Sequence, residues 1–477
     1  MSKIIHRRGR GGRKGSPFSK SRLCVLCVLC GATALVAACS MTPEYHRPPA
    51  PVPAQWPSGA SGQAARLDWH GFFPDARLQG LISAALDNNR DLRVAVARVE
   101  EARAQYGIAR ADRLPTVNAA ASRSAALTPA DLTTTGRKMT TQRYDVDLAV
   151  ASFEVDFWGR VASLSEAARA NYLATEQAQR AFRLSLVADV ANAYLTLLEM
   201  QERQALAADT VKTREDYLTM IAKRREVGLA GDLDYLTADG ALQTARADNA
   251  SLIRQRAAAE NALRLLVGAA PELPAGKTLA EQGIVTDVPV GLPSDVLLER
   301  PDVLSAEQAL LAANANIGAA RAAFLPRLLL TAALGTASSE LTGLLDAGSR
   351  AWSFQPALTY PLFDFGRTAA NRDVAEARKV IAVAQYEKSI QVAFREVADL
   401  LAGRQALADQ LAAQEAGEQQ QRQRVKLVTA RYEAGVSSYL EVLDAQRDLF
   451  AVEQGTVQTR RALLATAAQL YTTLGAD

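Results

Sequence analysis

The sequence predicts one subunit of a membrane-inserted β-barrel continued by long helices. Three observations predict it: the chain is written twice, two long stretches lack proline, and short alternating strands precede each of them. Residues 153–163 read FEVDFWGRVAS and residues 360–370 read YPLFDFGRTAA, so Gly159 matches Gly366 at an offset of 207. The same offset pairs Gly228 with Gly435, Leu236 with Leu443 and Gly268 with Gly475. Earlier in the chain, Asp91 pairs with Asp302 and Pro115 with Pro326 at an offset of 211. The two copies therefore differ by four residues in a single connection.

Residues 1–38 read as a secretory signal. Residues 1–22 hold eight Lys or Arg and no acid, and the apolar run LCVLCVLCGATALVAAC follows. Val36-Ala37-Ala38-Cys39 resembles a lipobox, which makes Cys39 the expected lipidation site and the first residue of the processed chain. The plainer alternative is an ordinary signal peptide with a Cys there by chance. Two or more acyl chains hold a protein firmly on a membrane, whereas one holds it marginally. By similarity to known lipoproteins, Ser40 after the Cys favours outer-membrane sorting. Cys24, Cys27 and Cys30 mimic a metal or redox spacing but lie in the segment to be removed. Residues 39–66 then form the expected lipidated tether, whose PEYHRPPAPVPAQW stretch (43–56) is extended by its prolines.

Two repeats follow, over residues 67–269 and 299–477, joined by a Pro- and Gly-containing segment at 270–298. No proline occurs between Pro129 and Pro271, and none after Pro361. Both stretches are rich in Ala, Leu, Gln, Glu and Arg, which favour helix. Residues 160–226 can form one helix roughly 100 Å long, and 367–433 repeat it; such helices need lateral packing. Each ends in a similar turn, REVGLAGDLDYL (225–236) and YEAGVSSYLEVL (432–443). Gly228 and Gly435 suit the left-handed position after a helix, while Asp232 and Ser437 or Ser438 suit the cap of the next. The hairpins are completed by shorter helices, giving spans of about 160–268 and 367–474.

Strands are expected at about 116–125 and 143–157, and again at 327–335 and 351–364. Residues 143–150 alternate: Tyr144, Val146, Leu148 and Val150 on one face, Arg143, Asp145 and Asp147 on the other. Trp352, Phe354, Leu358 and Tyr360 share a face in the second repeat. Apolar-out, polar-in strands fit a transmembrane barrel, the plainer alternative being a soluble hairpin pair packed on the helices; four strands are too few to close a barrel, so one would need several subunits. Pro115 and Pro326 mark the passage from helix to strand, because proline ends a helix and biases its predecessor toward extended backbone. Gly159-Arg160 and Gly366-Arg367 mark the return from strand to helix. Trp158, Trp352 and Tyr144 suit either a membrane-interface belt or simple strand packing.

Composition excludes several classes. Removing residues 1–38 takes the formal charge from +3 to about −5, so nucleic-acid binding is not expected. No 18-residue apolar run lies beyond the signal, so no transmembrane helix is expected. The three histidines, His6, His46 and His70, are scattered, and no metal centre, cofactor or catalytic constellation is proposed. No Walker motif supplies ATP hydrolysis.

These pieces together resemble the TolC-like outer membrane efflux family: the Cys39 start with PEYHRP, FEVDFWGR (153–160), ERPDVLSAEQAL (299–310), FLP (324–326), LFDFGR (362–367) and YEAGVSSYLEVLDAQRDL (432–449). The resemblance implies a homotrimer with a twelve-stranded transmembrane β-barrel, four strands per subunit. The barrel continues into a long periplasmic α-helical barrel with a mixed α/β equatorial belt. It further implies the outer channel of a tripartite pump in the Gram-negative outer membrane. A periplasmic adaptor protein and an inner-membrane RND-type transporter are the implied partners, the latter supplying the energy. The turns at 228–234 and 435–441 would lie at the periplasmic tip.

On that resemblance Glu441 and Asp444, three apart at a helix start, are the first choice for a channel constriction, with Asp232 and Asp234 from the other repeat. Asp234 aligns with Glu441, but Thr237 stands where the second repeat has Asp444, so the acidic constriction is asymmetric between repeats. Crowded like charges in a trimer raise their own pKa values and attract cations. Tyr432, Gly228, Gly435, Arg225 and Arg431 are tip-contact candidates. Plain solvated acids and helix-dipole partners are the bland account of these charges. The competing functions are the outer channel of a type I-like protein secretion system and a lipid-anchored coiled coil without a pore.

Overall fold

The computed structural model describes residues 40–57, 68–270, 274, 276–284 and 297–473. Cys39, the signal segment and most of the 270–298 connection lie outside these residues. The chain divides into two compact units. One is built from 108–166 and 314–376 with the start of the chain up to Glu44; the other from 45–107, 167–313 and the residues from 377 onward.

The first unit is organised by one antiparallel sheet in the order β1-β2-β3-β4. Its strands are β1 Val117–Thr128, β2 Met139–Val155, β3 Arg327–Ser338 and β4 Arg350–Thr359. Two hairpins are joined through β2 and β3, which pair Tyr144 with Ser338, Leu148 with Leu334 and Val150 with Ala332. Residues directly opposite each other share a face. One face therefore carries Val146, Leu148, Val150, Leu334, Trp352 and Phe354 across three strands. The other carries Asp145, Asp147, Ala337, Gly335, Ser353 and Gln355.

The β2 alternation changes phase once. The register shifts between Val150 and Phe153, where Ser152 adopts φ 55°. This bulge inserts one residue, so odd-numbered Phe153 and Val155 rejoin the even-numbered apolar side chains opposite Leu330 and Leu328. The hairpins reach nearer their loops than expected: β1 runs on to Thr128 and β2 starts at Met139, because Thr140 and Thr141 still pair with Leu127 and Ala126. β4 ends at Thr359 rather than 364, just before Tyr360-Pro361, where proline removes a ladder donor.

Each junction back to helix is closed by an aspartate within the repeated motif. Asp156 accepts from the amides of Val161 (3.0 Å) and Ala162 (2.7 Å), capping α4, Arg160–Glu226. Asp364 accepts from Gly366 N (3.0 Å) and Thr368 N (2.8 Å), capping α7, Arg367–Glu433. Gly159 and Gly366 both have positive φ there. Arg160 forms a two-pronged pair with Glu154 at 2.7 Å on each prong, so its partner is the neighbouring carboxylate. The amide of Arg367 donates to the carbonyl of Asp364, 3.2 Å away. On the entry side, α3 (Arg90–Ala111) and α6 (Pro301–Ala322) stop just before Pro115 and Pro326.

In the second unit, short helices α1 (Trp69–Phe72) and α2 (Ala76–Asn88) pack their apolar faces on the middle of α4 and on the ends of α5 (Asp232–Val267) and α8 (Tyr439–Thr473). Phe73, Leu78, Ile82, Val190, Leu195 and Ala468 are fully enclosed there. The polar centre of this core is Asp75. It caps α2 through Arg77 N (3.0 Å) and accepts from Tyr194 OH (2.9 Å) and Gln282 Nε2 (3.1 Å). α4 holds one window that is apolar and long enough to cross a bilayer, against the expectation of none; more than half of that window is buried inside the protein. Its apolarity serves this core. His70 is exposed and paired with Asp68 at 2.7 Å.

The described part of the expected tether is pinned down. In the first unit Thr42 Oγ1 meets Ser163 Oγ at 3.0 Å, and Asn314 Nδ2 donates to Pro43 O at 2.8 Å. In the second, buried Glu307 accepts from Tyr45 OH (3.0 Å) and from both Arg47 Nε (2.7 Å) and Nη2. Trp56, 2% exposed, stacks on Phe394 at 5.0 Å. Proline sets the extended backbone; Tyr45, Arg47 and Trp56 supply the contacts that hold it.

Candidate functional site: the paired helix turns

The two helix turns end in the same motif. Gly228 and Gly435 both sit at φ 75°. In the first repeat Gly228 N donates to Arg225 O (3.0 Å) and Leu229 N to Arg224 O (2.7 Å). In the second, Gly435 N donates to Tyr432 O (3.0 Å) and Val436 N to Arg431 O (2.9 Å). This is the Schellman arrangement, which satisfies the last carbonyls of each long helix and reverses the chain.

The turns share one apolar cluster. Ile221, Ala238, Tyr439, Val442 and Leu443 are buried together, with Tyr235 and Tyr432 packed against them. Tyr439 lies 5.6 Å from Tyr217 and 5.8 Å from Tyr432, ring to ring. Burial pushes its phenol up to about 12. Beside this cluster Arg214 is buried, donates to the Ala241 carbonyl, and has its Nε without a partner. Burial lowers its pKa. Neither Arg214 nor Tyr439 is marked by a sequence signal, because their burial beneath the turns arises only in the packed hairpins.

Each candidate acid has its own partner within the chain. Asp232 does not cap α5; Gly231 holds that position. Asp232 instead pairs with Arg225 at 2.7 Å, and Arg225 also lies over the Tyr235 ring at 5.0 Å. Asp234 reaches back to accept from Gly231 N at 3.2 Å. Glu441 makes the matching contact at the other turn, accepting from Ser437 Oγ (2.8 Å) and Ser438 N (3.5 Å). The Ser437 hydroxyl first, then the Ser438 amide, hold the Glu441 carboxyl below the ordinary glutamate range. Asp444 pairs with Arg447 at 3.4 Å, one turn along α8. Tyr432 lies under Arg224, whose guanidinium carbon is 5.0 Å from the ring centre. Arg431 contributes its carbonyl to the Schellman motif and a favourable field at Glu441.

A model of the family described as "Outer membrane efflux protein" matches residues 81–269 and 292–476. The chain belongs to the outer membrane efflux protein family. It is 46% identical over 441 residues to the outer membrane protein OprJ of Pseudomonas aeruginosa, covering 90% of this chain and 92% of that one. It is 43% identical over 458 residues to the toluene efflux pump outer membrane protein TtgF of Pseudomonas putida, covering 92% and 94%. Among solved structures, the open state of the Neisseria gonorrhoeae MtrE outer membrane channel matches with a TM-score of 0.83. That match is 38% identical and covers 92% of this chain and 98% of that chain. This family member has the TolC-like fold and is an efflux channel of the outer membrane.

Proposed function

We propose that three copies of this chain form the passive outer conduit of a tripartite pump, receiving cargo from a periplasmic adaptor and an inner-membrane RND-type transporter. The sheet carries the reading: one face is apolar over most of its height, with Arg123, Gln142 and Arg350 toward the hairpin loops, the other is polar or small apart from Met139 and Leu329, and β1 and β4 leave open edges. Such a sheet suits lipid on one side and water on the other once closed by further copies. Cys39 is the lipidated residue, residues 1–38 the removed signal, and 67–269 and 299–477 the two repeats. The cargo is a small toxic compound, in keeping with relatives named for toluene, solvent and antibiotic efflux.

The paired turns are the gate. Glu441 and Asp444, with Asp232 and Asp234 of the other repeat, line the constriction; Tyr432, Arg225 and Arg431 hold the turns, and Gly228 and Gly435 shape them. Three copies of Glu441 around one axis would oppose the lowering of its pKa by Ser437. The test is single-channel conductance in planar bilayers, wild type against Glu441→Ala plus Asp444→Ala. A cation-preferring pore altered by the double change supports both conduit and gate. An unaltered pore keeps the conduit and removes these acids from the gate. No pore from a folded trimer overturns the conduit.

A further inference from the structure

The two strand-to-helix junctions repeat one another in backbone and differ in charge. The offset of 207 lays Glu154 on Pro361 and Arg160 on Arg367. The offset of 211 lays Asp112 on Ala323 and Thr116 on Arg327. At these positions the second junction has two fewer acids and one more base than the first. In the first, Arg160 Nε and Nη2 each hold a carboxylate oxygen of Glu154 at 2.7 Å. In the second, Pro361 stands where that carboxylate would be. Neither Arg327 nor Arg367 makes a side-chain hydrogen bond or ion pair among the described residues.

Both arginines line one cavity of about 440 Å³, together with Ala323, Thr359, Pro361 and Asn371. The three departures from the first junction, at 323, 327 and 361, therefore meet in one place. Arg327 lies opposite Thr359 in the β3–β4 register, on the face that carries Gln355 and Ser353. Both belong to the polar side of the sheet. Asp364, the acid of this junction, is already engaged by the amides of Gly366 and Thr368 and by the Thr368 hydroxyl. Arg367 adds only a favourable field there. Two guanidiniums thus face one occupied carboxylate, the reverse of the first junction, where Glu154 and Asp156 face Arg160.

The geometry points to a binding site for the carboxylate of a small organic acid, held by Arg367 and Arg327 where the first repeat uses its own Glu154. Glu154 supplies the pattern, a carboxylate taking two donors of one guanidinium side by side. The cavity has room for the body of a small acid beside its carboxylate. Exposed arginines bind weakly and lose strength in salt, so the ligand exchanges readily. The site stands on this chain's own residues. The conduit reading adds that the polar face meets water, which sets three such sites around the path of an acidic solute.

The test titrates para-fluorobenzoate with the full-length protein, purified in detergent as its native assembly, and reads the fluorine NMR line width. Uncharged para-fluorobenzamide is the control. Broadening of the acid but not of the amide is expected. Arg367→Gln and Arg327→Gln should each weaken association about tenfold. Pro361→Glu, which restores a carboxylate beside Arg367, should abolish it. Arg372→Gln, whose guanidinium already pairs with Asp373 at 2.7 Å, should leave it unchanged. Heat-modifiable mobility checks the fold of each variant. Equal broadening of acid and amide, as from partition into detergent, would overturn the site. So would no broadening with wild type, the result if an acid of a neighbouring copy fills the cavity, or binding that survives Pro361→Glu in folded protein. Conductance of the same preparations reads the conduit separately: binding without a pore keeps the site and overturns the conduit, and a pore without binding does the opposite.

Discussion

The indole N–H of Trp158 donates to the carbonyl of Pro326 across 2.9 Å. The turn that follows the first strand pair is thereby tied to the residue just before the second. Trp158 is consequently a junction residue of the sheet, whereas Trp352, 78% exposed on the apolar face, remains the aromatic suited to a membrane interface. Replacing Trp158 with Phe keeps the ring and removes the donor, leaving the carbonyl unpaired. A loss of about 1 kcal/mol is expected, read as a lower midpoint for heat dissociation on semi-native gels. An equal loss in Trp352→Phe would contradict the assignment.

Two glycine substitutions should separate backbone strain from close approach. A methyl at Gly435 meets nothing within 4 Å, so Gly435→Ala is resisted only by its positive φ. That costs about 1–2 kcal/mol, and the fold should survive with a less stable turn. At Gly335 a methyl would fall on the Val146 carbonyl and Asp147 Cα, both backbone atoms of β2. Gly335→Ala should therefore lose outer-membrane insertion, scored by heat-modifiable mobility, where Gly435→Ala retains it.

The proton affinity of Glu441 is set first by Ser437. A carboxyl whose folded pKa is lowered contributes stability above its ordinary value, and loses that contribution as pH falls through the folded value. Ser437→Ala should raise the Glu441 midpoint toward the ordinary 4.5. The acid-induced change in conductance should then begin at higher pH than in wild type. A midpoint that stays put or falls would show that Ser437 does not hold this carboxylate.

Glu307 should fasten the chain start. It is buried and takes one bond from Tyr45 and two from Arg47, whose side chain is part exposed. Glu307→Gln retains volume and weakens the pair by about 1 kcal/mol after allowance for that exposure. Limited proteolysis should cut within 43–56 faster than in wild type, while Arg460→Gln, remote from this contact, should leave the rate unchanged.

The sequence announced the long helices because their limits are set locally. Proline-free composition extends α4 and α7, and Gly228 and Gly435 stop them. The β2 bulge was not legible in the same way, since Ala151-Ser152 carries no turn signal and only pairing with β3 reveals the change of phase. At the first turn Asp232 looked the better cap by residue type. In the structure Gly231 takes that position, while Arg225 draws Asp232 aside. The 43–56 stretch read as a tether because prolines report backbone shape and are silent about partners; Glu307 and Phe394 lie hundreds of residues away. Arg214 beneath the turns was hidden for the same reason, as burial of a charge is a property of the packed hairpin.

The open edges of β1 and β4 set a clock on the making of this channel. A chain released with both edges bare competes between finding its copies and joining any other unpaired strand it meets. Synthesis faster than assembly should accordingly yield aggregates rather than a reserve of soluble monomers. Expression level then becomes a direct control on how much of the chain ends up in the outer membrane.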